Sequence, residues 1–262
     1  MTTSIHPTAI IEAGAQLGEG VEVGPWSLIG AEAKIGDRTV IGSHCVVRGR
    51  TTLGPDNRLI SHVALGNPPQ DLKYAGEPTE LIIGAGNTIR EFATLNLATV
   101  QGGGKTVVGD RNLFMTQAHV AHDCKVGSDN VFANAGTLAG HVTIGNFITL
   151  GAFSAVHQFC RVGDHAFIGG FTVVTRDALP FMKTVGSRGD AKSFGPNAVG
   201  LSRRGFSKEA IAALASAHKR LNYGDDLLAE KLAAVEAEFG KIAEVKQLID
   251  FIKTAQRGII LG

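Results

Sequence analysis

The sequence is short of aromatic residues, of cysteine, of charge excess and of long apolar runs, and each shortage removes a class of protein. Aromatic residues make up 6% of the chain, so the sequence points to a narrow core of aliphatic side chains rather than one built on large rings. Lysine and arginine number 25 against 24 aspartates and glutamates, a net charge of +1. That lacks the basic excess of a nucleic-acid binder and the acidic bias of a disordered chain. No apolar stretch reaches the ~18–20 residues that span a bilayer. The opening MTTSIHPTAI has no charged segment followed by an apolar one, so neither a transmembrane segment nor a secretory signal is expected. The three cysteines, Cys45, Cys124 and Cys160, are odd in number and show no CxxC spacing. They fit the reduced thiols of a cytoplasmic protein better than a disulfide framework.

What the chain does have is 34 glycines and a repeat. Aliphatic residues recur at every sixth position from Ile5 through Ile11, Leu17 and Val23 to Leu65. The pattern returns at Ile83, Ile89 and Leu95, breaks again, and resumes from Val108 to Val174. Six is neither the 3.6 period of a helix nor strand alternation. It fits one short strand and one turn per repeat, so that three repeats close a triangular coil of eighteen residues and stacked coils share backbone hydrogen bonds. The period predicts an all-β parallel β-helix over residues 1–189. Glycine often follows the aliphatic residue, as in Val23-Gly24 and Ile144-Gly145, and is expected to turn the corner there.

The two interruptions, 66–80 and 98–106, are expected to leave the prism as loops, where function often sits. From about Ser207, a candidate N-cap, the period becomes helical. SKEAIAALASAHKRL places Ile211, Leu214 and His218 on one stripe, and LLAEKLAAVEAEF and AEVKQLIDFIKTAQR read as two further amphipathic helices. A small α-helical C-terminal domain, residues 190–262, would cover the last open coil.

A spacing of eighteen converts into neighbours. Gly140 stacks on His122, His141 on Asp123, His157 on Ala139 and Gln158 on Gly140, so AHD (121–123), AGH (139–141) and HQF (157–159) meet at one corner. His122 followed by Asp123 suits a general base with an orienting carboxylate. Gly140 could offer an unshielded N–H to a developing oxyanion. Cys124 lies two residues before Val126 and reads as a near-core thiol rather than a nucleophile. His119, His122 and His141 would be needed together for a zinc site with an open position, but the spacing does not require them to converge.

IHPTAI, QDLKYAGEPT, TVQGGG, AHVAHDCKVG, LAGHVTIG, AVHQFCRVG and LSRRGFS together resemble the UDP-N-acetylglucosamine O-acyltransferases that begin lipid A synthesis in Gram-negative bacteria, nearly end to end. The resemblance implies a left-handed coil and a homotrimer with active sites between prisms. It implies transfer of a 3-hydroxyacyl chain from acyl carrier protein to the glucosamine 3-position, with no metal and no cofactor beyond the carrier thioester. His122 would be the base, Asp123 its support and Gly140 the oxyanion donor. Asp71, Lys73, His119, His141 and His157 would bind substrate. Gln158, Asn197, Arg203 and Arg204 match positions around the nucleotide, where an arginine fork suits a diphosphate. Gly170 matches a position that measures the acyl chain; a glycine there leaves room for a long chain, and nearby Phe167 could shorten it.

Two stretches depart from the family. Asn96-Leu97-Ala98 stands where the family usually reads His-Arg-Gly, and Val199 stands where it usually has glutamate. An N-acyltransferase acting on a 3-amino sugar nucleotide therefore stays open beside the O-acyltransferase. So does a zinc-dependent γ-type carbonic anhydrase, which shares the β-helix, and so does a non-catalytic scaffold.

Overall fold

A computed structural model describes residues 2–262. Its strands form three sheets of eleven, nine and eight, parallel but for the last strand of the first, here called sheets 1, 2 and 3. The chain visits them in rotation, giving a left-handed parallel β-helix. Strand Ser4–Ile5 lies in sheet 1, Ile10–Ile11 in sheet 2 and Gln16–Leu17 in sheet 3. Register follows the eighteen-residue step, with Val23 opposite Ile41 and Val120 opposite Leu138. From Val23 onwards each two-residue strand buries its second residue, and these aliphatics, with Phe114 and Phe132 packed ring to ring at 4.7 Å, form one continuous core.

The corners are turned by other residues than expected. Gly24, Gly36, Gly127 and Gly145 are not among the residues with positive φ. The left-handed conformation falls instead, at most corners, on the residue three beyond the aliphatic, and among the described residues eighteen that are not glycine adopt it, Trp26, Asp123, His141 and Phe159 among them. Glycine after the aliphatic residue serves close approach between coils: a Cβ on Gly24 would lie 2.7 Å from the Gly42 carbonyl carbon. Left-handed backbone disfavours these L-residues by roughly 1–2 kcal/mol each. Stacking eighteen residues on offsets part of that, as in the parallel rings of His141 and Phe159, 4.5 Å apart, and the Arg111–Asp129 pair at 2.7 Å. Inside sheet 1, Asn57, Asn87, Asn112 and Asn130 are buried but satisfied. Each Oδ1 accepts the next residue's N–H, the last from Ile148 at 2.8 Å.

Both interruptions leave the same corner. Leu53 pairs with Ile83, thirty residues on, and Ile83 with Val108, twenty-five on. The first loop thus adds twelve residues to a coil and the second seven. Each runs from sheet 2 to sheet 3, between strands Ala64–Asn67 and Glu80–Ile83, then Thr94–Asn96 and Lys105–Val108. The loops are tied together: Asn96 Nδ2 donates to the Pro68 carbonyl at 2.6 Å, and Thr79 Oγ1 to that of Ala98 at 2.6 Å.

After Pro180 the chain adds two elements that hexad reading misses. Strand Met182–Val185 continues sheet 1, and Lys192–Pro196 pairs with it antiparallel. A short helix, α1 (Ala198–Arg203), precedes α2 (Lys208–Asn222), α3 (Leu228–Phe239) and α4 (Ala243–Lys253). Ser207 caps α2, its side chain accepting from the Ala210 N–H at 3.0 Å. The buried stripe of α2 is Ala210, Ala213, Leu214, Ala217 and Leu221, which leaves Ile211 and His218 at its half-buried margin. The helices bury Leu214, Val235, Val245 and Leu248 against Leu179, Phe181 and Met182 from the end of the prism. No helix among the described residues is long and apolar enough to cross a membrane.

Candidate active site

Five successive coils meet at the corner between sheets 2 and 3. The first two carry the loops; the next three carry Asp123, His141 and Phe159 at the left-handed position. The placement of His122 depends on Asp123. The aspartate takes φ 62°, a conformation that aspartate tolerates better than most residues, and its side chain is fully buried. A buried carboxylate must find donors, and this one has three. The Thr99 N–H donates to Oδ1 at 2.9 Å, and the Thr99 hydroxyl to Oδ2 at 2.7 Å. His122 Nδ1 lies 2.7 Å from the same Oδ2. Facing an acceptor-only carboxylate, Nδ1 carries the hydrogen, which leaves Nε2 as the acceptor.

That nitrogen overlies Gly140. A Cβ on Gly140 would stand 2.7 Å from His122 Nε2 and 2.5 Å from Cε1, so only glycine fits beneath the ring. On either side of Gly140 the amides are engaged, Ala139 N–H with Val156 O and His141 N–H with His122 O. The Gly140 N–H donates to no protein group among the described residues. A base nitrogen and an unpaired backbone donor thus lie side by side. His141 meets the His122 ring edge-on at 5.2 Å, with its Nε2 3.6 Å from Asp123 Oδ2. His119 lies on the same coil, its Nδ1 2.7 Å from Thr94 Oγ1. Burial, aided by His122, holds its imidazole below the ordinary histidine range. His157 and Gln158 lie one coil beyond His141, His157 half-buried and Gln158 exposed.

Cys124 is no nucleophile here. Its thiol is buried, donates to the Ala139 carbonyl at 3.1 Å, and is pushed up to about 12 by burial. His122, Asp123 and His141 could reach a common ion, but both Asp123 oxygens already accept from Thr99. His119, the third histidine a zinc site would need, is turned to Thr94.

Most of the other expected residues lie away from this corner, on α1 or on other edges of the prism. Asn197 caps α1 by accepting from the Gly200 N–H. Arg203 is in the last turn of α1. Arg204 donates to the Phe147 carbonyl at 2.7 Å, with its guanidinium over the Phe147 ring, at the corner between sheets 3 and 1. Burial lowers its pKa from the ordinary arginine value. Phe167 stands in sheet 1 and Gly170 at the corner between sheets 1 and 2, where a Cβ would meet only Ala152, its oxygen at 3.3 Å. Asp71 and Lys73 share the catalytic corner, but within the first loop Asp71 Oδ1 accepts from the Lys73 N–H, and neighbouring Leu72 is fully exposed. Cavities of about 390 and 410 Å³ lie elsewhere, one lined by Gln16 and Lys34 at the N-terminal coils and one by Arg220 and Phe239 between α2 and α3. Neither hollow is lined by the residues gathered at the His122 corner. Sequence reading missed Thr99 and Gly102: a Cβ on Gly102 would fall inside the Asp123 carboxylate. Carrying the register across the second loop, from Leu95 to Val120, is the signal that brings TVQGGG to this corner.

Comparison with known proteins places the chain among relatives. Residues 177–260 match the family model described as UDP N-acetylglucosamine O-acyltransferase, domain 2. An acyl-[acyl-carrier-protein]–UDP-N-acetylglucosamine O-acyltransferase of Thiobacillus denitrificans is 49% identical over 257 residues, covering 98% of this chain and 99% of that relative. The structure resembles the UDP-N-acetylglucosamine acyltransferase of Francisella novicida (TM-score 0.95, 32% identity, 98% of this chain and 94% of that one). It also resembles the enzyme of the same family from Acinetobacter baumannii (TM-score 0.94, 38% identity, 98% and 99%). The fold and corner define a hexapeptide-repeat acyltransferase. The chain belongs to the acyl-carrier-protein-dependent UDP-N-acetylglucosamine O-acyltransferase family of lipid A biosynthesis.

Proposed function

We propose that this protein transfers a 3-hydroxyacyl chain from acyl carrier protein to the 3-hydroxyl of UDP-N-acetylglucosamine, the first step of lipid A biosynthesis, with His122 as general base. The supporting observation is His122 Nε2, freed by the Nδ1–Asp123 bond and set over the unpaired Gly140 amide. In this mechanism Nε2 takes the proton of the sugar hydroxyl as its oxygen attacks the thioester carbonyl. The Gly140 N–H receives the charge that develops on the carbonyl oxygen. Collapse breaks the C–S bond, and the carrier thiolate leaves with the proton held by the imidazolium. Asp123 stabilises that imidazolium throughout.

The spread of the other residues supports a homotrimer. Arg204 and Gly170 sit on edges other than that of His122, so a neighbouring prism must bring nucleotide-binding and chain-measuring residues to the base. Asp71, Lys73, His119, His141 and His157 would hold the sugar and acyl groups, and Gln158, Asn197, Arg203 and Arg204 the nucleotide. Phe167 and Gly170 would line the far end of the acyl chain.

Asn96 bears on the acceptor atom. It is buried, with its amide spent on the Pro68 carbonyl, so it braces the loops instead of offering a free imidazole like the family's histidine. This keeps the 3-amino sugar nucleotide as a second reading. An acyl-transfer assay offering UDP-N-acetylglucosamine and its 3-amino analogue against hydroxyacyl carrier proteins of several lengths tests both. His122→Ala is expected to lose several orders of magnitude in kcat, roughly the reach of a lost general base with its misaligned partners, while remaining a folded trimer. Full activity in that variant would refute the role.

A further inference from the structure

We infer that Thr99 is a positioning residue of the reaction: through the second loop it clamps the Asp123 carboxylate and thereby fixes the ring and tautomer of His122. The inference rests on the general-base reading above and adds to it the residue that makes it work.

Thr99 reaches the carboxylate twice, by backbone N–H to Oδ1 at 2.9 Å and by hydroxyl to Oδ2 at 2.7 Å. The direction of its hydroxyl is settled by a third bond, because Oγ1 accepts from the Gly102 N–H at 3.2 Å, which leaves its hydrogen for Asp123. Gly102 lies so close over the carboxylate that no side chain fits there. Below, Thr106 Oγ1 accepts from the Asp123 N–H at 2.8 Å. Thr99 is 2% exposed, so these bonds face no competition from water. The charged or titratable groups facing Asp123 are His122 at 2.7 Å and His141 at 3.6 Å. With Thr99 holding one site on each oxygen, the carboxylate presents one fixed direction to His122. Without those bonds it could turn towards His141, and the His122 ring would lose its anchor. A loop the prism does not need thus supplies the fixed orientation that a base–carboxylate pair requires.

A thermodynamic cycle on the full-length enzyme tests this. Thr99→Val is expected to lower kcat on the order of 10- to 100-fold, the usual cost of losing an orienting partner, with little change in KM for the sugar nucleotide. Thr99→Ser should recover most of the loss. In an Asp123→Ala background, Thr99→Val should cost nothing further, since there is no carboxylate left to hold. Nitrogen-15 spectra of the histidine rings provide a readout independent of turnover: Thr99→Val should lose the single Nδ1–H tautomer of His122. Equal costs in both backgrounds, or an unchanged tautomer, would overturn the inference. A failure of His122→Ala to lose activity would instead overturn the general-base reading and leave the tautomer result standing.

Discussion

At the scale of single residues, the corner is governed by what glycine permits. Gly140 needs no unusual φ, so its requirement is purely spatial. A methyl group there meets His122 Nε2 at 2.7 Å and Cε1 at 2.5 Å, distances that force the ring to move. The ring cannot move and keep its 2.7 Å bond to Asp123. Gly140→Ala should therefore separate base from carboxylate while leaving the coil folded. We expect kcat to fall on the order of 100-fold, the scale of an ångström-sized misplacement, with the urea midpoint close to the parent's. A normal kcat would show that the ring position does not set the rate. Gly170 makes the contrast, because there a Cβ meets only Ala152, its carbonyl oxygen at 3.3 Å, a tight contact that needs a shift of a few tenths of an ångström instead of displacing a ring.

At the scale of elements, the corner side chains form ladders that stabilise an otherwise costly backbone. One runs Phe147, His165, Phe181, with ring centroids 4.9 and 5.6 Å apart, and Phe206 meets His165 edge-on. His165 Nδ1 is buried there without a partner. Burial first, then the charge of Arg204, holds its imidazole below 6.5; His119 and His218 are lowered too, also mainly by burial. The unfolded chain therefore takes up protons that the fold refuses. The contribution of these histidines should be level above pH 6.5 and decline as pH falls through it towards the folded values. His165→Phe removes one such group and one unpaired nitrogen, so it should raise stability by about 1 kcal/mol and flatten the acid decline. Urea titrations above and below pH 6.5 check this; a variant with the parent's stability and acid slope would count against it. The stacking at the His122 corner was legible in the sequence, because an unbroken register of eighteen fixes it; the ladder through His165 was not, and its last step, to Phe181, spans sixteen residues. The hexad also gave the interruptions and the cap at Ser207. It misassigned the corner glycines, because period alone does not distinguish a residue that turns the chain from one that lets two coils approach. It gave no sign of α1 either, six residues including Gly200 and β-branched Val199, whose helix depends on the Asn197 cap and on Leu201 being buried. Thr99 was hidden for a different reason: it follows a break in register, so its neighbour emerges only when Leu95 is set opposite Val120 across the loop.

At the scale of the whole molecule, the question is what joins prism and helices, since the two have separate cores. Arg161 spans them. Its N–H and Nε donate to the two oxygens of Asp177, at 2.9 and 2.7 Å. Its outer nitrogens donate to the Thr254 hydroxyl at 3.1 Å and the Phe251 carbonyl at 2.9 Å, and the guanidinium lies 4.3 Å over the Phe251 ring. The C-terminal segment returns to the same place, with the Ile260 N–H donating to the Asp177 carbonyl at 2.9 Å. This clasp closes the last coil and anchors α4, which shares one core with α2 and with Leu201 of α1. Arg161→Met keeps the stem but strands the Asp177 carboxylate, which is 1% exposed. Breaking one side of such a buried pair costs about 3–5 kcal/mol. The loss should fall on the helices and not on the coils, whose ladders are unaffected. Amide exchange is expected to accelerate across α4 and residues 255–262 while strands 113–156 keep the parent's protection. If the proposed nucleotide role of the arginines holds, KM for the sugar nucleotide should rise more than kcat falls. Uniform acceleration across the chain would mean that prism and helices unfold as one unit, and the clasp would then be only one contact among many.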